Sequence, residues 1–102
     1  MSIKKQYLKT KPVCKVTFTL PKTMSRSASS VFIVGEFNDW NHLASPMKVQ
    51  KNGSFSITLN LPKGREYQFR YLLDGSTWEN DDSADRYVRT QFGDCDNSVV
   101  IV

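Results

Sequence analysis

Apolar residues recur at every second position in short runs along this chain, and no stretch repeats them at the three-to-four spacing of a helix. The clearest run is Pro12 to Leu20, where Cys14, Val16, Phe18 and Leu20 alternate with Lys15, Thr17 and Thr19. Alternation of this period gives a strand one apolar and one polar face. Val31-Phe32-Ile33-Val34 is a continuous apolar run, as in a strand buried on both faces. Met47 to Gln50 and Ser54 to Leu61 flank Lys51-Asn52-Gly53, whose Asn-Gly pair supplies the positive φ values of a tight hairpin. Beyond Pro62-Lys63-Gly64, Tyr67, Phe69, Tyr71 and Leu73 line one side of an aromatic strand, with Gln68, Arg70 and Leu72 on the other. Arg86 to Thr90 and Val99 to Val102 complete the series. About seven short antiparallel strands without helix or internal repeat predict an all-β chain, an immunoglobulin-like β-sandwich. The Cys…Trp…Cys pattern of antibody domains is missing, so strand number and spacing carry this expectation.

With 102 residues, 39% hydrophobic and 24% charged, the chain has the size of one domain with one modest core. That domain is placed over 12–102, preceded by a flexible basic segment over 1–11. No apolar run approaches the roughly 18 residues of a membrane span, and the N-terminus lacks the apolar stretch of a secretory signal, so a cytoplasmic setting and no membrane partner are expected. Cys14 and Cys95 are too few for a disulfide framework or a four-ligand zinc site and read as free thiols. The net charge of +4 is concentrated in Lys4, Lys5, Lys9, Lys11 and Lys15, which have no acidic neighbours, as in a solvated tail. Elsewhere the signs alternate, and nothing suggests a surface that tracks nucleic-acid phosphates.

Catalysis finds little support. A glycosidase needs two carboxylates roughly 5 to 9.5 Å apart, one with a raised pKa. Glu79, Asp81, Asp82 and Asp85 crowd into one acidic stretch that reads as a solvated surface loop. His42 lacks the company of a nucleophile and reads as a surface loop residue. Asp94-Cys95-Asp96-Asn97 has part of a calcium loop but neither its glycine nor its distal glutamate. No catalytic residue, metal or cofactor is expected.

Two tryptophans stand apart from the apolar runs. Trp40 follows Gly35-Glu36-Phe37-Asn38-Asp39 in a long polar loop that displays Phe37 and Trp40, and Trp78 lies among Ser, Thr, Glu and Asn. The C–H face of a glucose ring lies well on an indole, and polar groups beside it select hydroxyls. Trp40 and Trp78 can serve as two planes for a curved α-1,4-glucan, with Arg70 as a fork of donors between them. Equally, one or both indoles can cap the end of the sandwich, and the residues alone leave both open.

The chain resembles the carbohydrate-binding modules of family 48. These are the glycogen-binding, isoamylase N-terminal-like domains that precede the barrels of branching and debranching enzymes and occur in the β subunit of AMP-activated kinase. Gly35-Glu36-Phe37-Asn38-Asp39-Trp40 matches the family's Gly-x-Phe-Asn-x-Trp, and Tyr67-Gln68-Phe69-Arg70-Tyr71-Leu72-Leu73-Asp74-Gly75, then Trp78, is similar to its later strand and second tryptophan. The resemblance spans roughly Val13 to Val102. It implies an early-set immunoglobulin-like fold and a carbohydrate site of Trp40, Arg70, Trp78, Phe92 and Asp96. Arg70 stands where kinase-subunit modules usually have a lysine, Phe92 where they have a leucine, and Asp96 where they have an asparagine. Trp78 lies one residue further from Asp74-Gly75 than in those modules, and the proline that usually comes after it is absent.

Non-catalytic binding of α-1,4-glucans such as glycogen, starch or maltooligosaccharides is therefore the leading expectation, for a monomer or weak dimer. The rivals are a protein-interaction domain anchored by the same aromatics, and a module that acts in trans on a glycogen-metabolising enzyme.

Overall fold

A computed structural model describes residues 3–25, 28–89 and 96–102. Among these, nine strands form two antiparallel sheets. They are β1 (Ile3–Tyr7), β2 (Val13–Leu20), β3 (Val31–Gly35), β4 (Lys48–Val49), β5 (Phe55–Pro62), β6 (Glu66–Leu73), β7 (Thr77–Glu79), β8 (Arg86–Arg89) and β9 (Asp96–Ile101). One sheet runs β1-β2-β5-β4 and the other β3-β6-β9-β8, with β7 also paired to β6. This is the all-β sandwich expected from the alternation, with two strands beyond the seven read from sequence.

Both additions have a physical origin. Ile3–Tyr7, within the stretch read as a flexible basic segment, pairs antiparallel with β2 from Ile3↔Phe18 to Tyr7↔Cys14. Ile3 is buried in the core, and Lys5 reaches across to Asp85 at 2.7 Å, so one apolar anchor and one ion pair hold a strand that lysines otherwise keep soluble. β7 arises because β9 pairs with β6 only over Glu66 to Phe69, and Thr77–Glu79 pairs with the same side of β6 at Tyr71 to Leu73. Trp78 is thus on a strand rather than in the irregular loop expected for it. Lys22–Ser25 forms one helical turn where a polar loop was expected.

The core lies where the alternating faces meet. Val16, Phe18 and Leu20 of β2 and Phe55 and Leu61 of β5 face Ile33 of β3, Phe69, Tyr71 and Leu73 of β6, and Val100 of β9. Phe69 is its centre, packing edge-on at 5.0 Å against Phe18 and at 5.7 Å against Tyr71. Cys14 is a free, fully buried thiol, whereas Cys95 lies outside the described residues.

Candidate functional site

The Gly35 to Trp40 segment is a device for turning a strand end into a rigid loop. A Cβ on Gly35 would lie 2.5 Å from the Gln68 carbonyl oxygen and 2.7 Å from the Phe69 Cβ, so only glycine lets β3 approach β6 this closely. Residues Glu36–Asn38 then make a 3-10 turn. Phe37, expected on display, instead turns inward and packs near Phe18, Tyr67 and Phe69, with ring centroids 5.9 to 6.3 Å apart. The reason is apolar area: a phenyl ring at the rim of an aromatic core gains more from leaving water than from staying hydrated.

Asn38 fixes the path of the loop beyond this turn. Its Oδ1 accepts from the Gly35 N–H at 3.0 Å, and its Nδ2 donates to the Ile33 carbonyl at 3.0 Å and to Ser45 Oγ at 3.1 Å, tying both ends of the loop together. The Glu36 carboxylate accepts from the Gln68 N–H at 2.6 Å and prolongs the β3–β6 ladder. Held this way, Asp39 and Trp40 both adopt left-handed backbone, with φ of 56° and 57°. Each such residue costs roughly 1 kcal/mol or more, and this kind of strain collects at sites where a side chain is aimed outward. Trp40 is 37% exposed. The loop returns through Ser45 to Met47, which hydrogen-bonds to β3 at Ile33 and Val31.

The second tryptophan sits on the outer face of the β3-β6-β9-β8 sheet. Trp78 lies opposite Leu72, and alternation along β6 puts Leu72, Arg70 and Gln68 on that face, away from Phe69 and Tyr71. The Arg70 guanidinium stacks over the Trp78 ring, 4.8 Å from its centroid, a cation–π contact. Arg70 Nε is buried without a hydrogen-bond partner. His42, from the Trp40 loop, meets Trp78 edge to face at 5.2 Å. The fold therefore brings the loop of Trp40, Arg70 of β6 and Trp78 of β7 together at one end of the outer face.

A buried polar network anchors the far side of Trp78. Asp81 is only 1% exposed, contrary to the solvated loop expected for the acidic stretch. It accepts from the Tyr71 hydroxyl at 2.5 Å and from the Ser83 N–H at 2.7 Å, and its own N–H donates to Ser98 Oγ at 2.9 Å. Tyr87 O–H donates to its carbonyl at 2.5 Å. Burial first, and then the negative charge of Asp81, hold the Tyr71 hydroxyl well above the ordinary tyrosine pKa. A carboxylate in the core was illegible because the tyrosine that receives it is ten residues away on another strand. The Asp85 carboxylate is likewise engaged, with Lys5 and with the Ile101 N–H at 2.6 Å. Asp82 is exposed, and Glu79 is half-buried on β7.

Asp96 opens β9, exposed, with its carboxylate 3.5 Å from Arg89 Nε and its carbonyl accepting from Asn80 Nδ2. Alternation along β9 places Asn97, rather than Asp96, on the face of Arg70, and Asn97 Nδ2 donates to Gln68 Oε1 at 3.0 Å. Phe92 lies outside the described residues. Among the described residues, no group of three or more His, Cys, Asp or Glu is placed to hold a metal ion. Of the predicted residues, Arg70 and Trp78 are thus in contact, and Trp40 is carried by the loop whose His42 touches Trp78. His42 and Asn97 went unread as neighbours of the site, because their partners lie far along the chain.

The family described as the glycogen recognition site of AMP-activated protein kinase matches residues 14–102, which takes in strands of both sheets and every residue of the site. No curated protein matches the chain significantly. The extent of the family match shows that this chain belongs to the carbohydrate-binding modules of the AMP-activated protein kinase glycogen recognition site.

Proposed function

We propose that the domain binds α-1,4-glucans without acting on them, by stacking successive glucose rings on Trp40 and Trp78. The observation that carries this reading is the exposed Trp40 on a loop that meets Trp78, with Arg70 lying over the second indole. A curved glucan offers the C–H faces of its rings to both planes, and the Arg70 N–H groups donate to hydroxyl oxygens beside them. In this reading Phe92 adds an apolar contact, and Asp96, whose side chain alternation turns from the Arg70 face, serves only if it exchanges its exposed pairing with Arg89 for a glucan hydroxyl. A shallow open site that must order a flexible ligand gives weak affinity, about micromolar to millimolar.

Titration with maltoheptaose followed by tryptophan fluorescence tests this, with a β-linked cello-oligosaccharide as control. A saturable change for the α-glucan alone, lost in Trp40→Ala and Trp78→Ala variants that remain folded, is the expected result. Silence at millimolar sugar would overturn it. A protein partner, such as a glycogen-metabolising enzyme, is then the better reading, favoured by Leu43, 77% exposed close to Trp40 on the same loop.

A further inference from the structure

His42 is the single histidine of the chain and lies two positions after Trp40. Its exposed imidazole meets the Trp78 indole with ring centroids 5.2 Å apart and planes inclined at 77°. The Arg70 guanidinium lies over the same indole at 4.8 Å. The strand that carries Trp78 is three residues long and pairs only with β6 among the described strands, so its backbone does little to fix the ring. Two side chains from two other elements contact it.

The geometry points to His42 as a positioning residue for glucan binding, one that sets the Trp78 plane against the loop of Trp40. The inference rests on the proposal that both indoles stack glucose. A curved glucan reaches two indoles at once only if the angle between their planes is held. Arg70 steadies Trp78 from β6, within the sheet that carries it. His42 belongs to the Trp40 loop and touches the other ring, so it ties one stacking surface to the other. Edge-to-face ring pairs contribute beyond the area they bury, and aromatic character, rather than charge, is what the contact requires.

The test compares maltoheptaose affinity of the unmodified domain with His42→Ala and His42→Phe variants by calorimetry. We expect His42→Ala to weaken binding about three- to tenfold and His42→Phe to stay within about twofold of the original. A second measurement needs no sugar. In a Trp40→Phe background Trp78 is the single indole, so its emission alone reports on the contact with His42. That emission should change in His42→Ala, which opens the indole to water, and return toward the original in His42→Phe. Binding by His42→Ala equal to the original, binding by His42→Phe as weak as by the alanine variant, or emission unchanged by His42→Ala would each overturn the assignment. Failure of the unmodified domain to bind maltoheptaose removes the stacking proposal and this role together. Binding that ignores His42→Ala removes only the role of His42.

Discussion

One strand, β6, presents two faces that answer to different physics. Its inner face, Tyr67, Phe69, Tyr71 and Leu73, is buried against the opposite sheet, and Phe69 makes ring contacts with Phe18, Phe37 and Tyr71. Its outer face offers Gln68, Arg70 and Leu72 to the rim where Trp78 and the Trp40 loop meet. Neighbouring residues, about 3.3 Å apart along the chain, thus line the core on one side and the proposed glucan site on the other. The same division appears within the Gly35 to Trp40 segment, where Phe37 joins the core and Trp40 faces solvent. Adjacent aromatic residues of a binding motif should therefore not be expected to share a role.

The division is sharpest if it survives mutation. Phe69→Ala removes a fully buried ring from the centre of the sandwich and should destabilise the domain by about 3–5 kcal/mol, enough to unfold much of a small domain, as read by urea denaturation. Retained stability would break the comparison. Tyr71→Phe keeps the ring but removes the hydroxyl that donates to the buried Asp81 carboxylate, at a cost of about 1–3 kcal/mol.

Alkaline pH probes the same bond without mutation. Tyr71 in the folded chain keeps its proton well above the ordinary pKa of 10.0, whereas the unfolded chain releases it there. The stability this confers is complete below about pH 10 and declines as the pH rises beyond it, because the unfolded state then binds fewer protons. Unfolding free energies at pH 9 and above pH 10 should diverge in the unmodified protein by more than in Tyr71→Phe. Equal divergence would place the titration elsewhere. On the outer face, Arg70→Ala should change stability least, by about 1 kcal/mol or less for a half-exposed cation–π contact, while weakening maltoheptaose binding in the calorimeter. A large loss of stability with unchanged binding would reverse the assignment of the two faces.

Much of the fold was legible because local rules and tertiary demands agree. Period-two runs marked β2, β5 and β6, and Asn52-Gly53 marked a turn whose Gly53 does adopt φ of 87°. The strands missed are those with weak local patterns. β1 is mostly lysine and glutamine around one buried isoleucine, and β7 has three residues. Each exists because an unpaired strand edge was waiting for it, a condition that no window of sequence contains.

The site divides along the same line. Sequence alone determined that two indoles stand outside the apolar runs, that one guanidinium lies on the polar side of an aromatic strand, and that Gly35 and Asn38 are in the motif leading to the first indole. Only the tertiary structure decided that Phe37 points inward, that Asp81 is buried under Tyr71, and that His42 and Arg70 meet on Trp78. Alternation and turn chemistry act over a few residues and can be read in order along the chain. Ring contacts, buried carboxylates and shared strand edges join residues that only the folded sheets bring together.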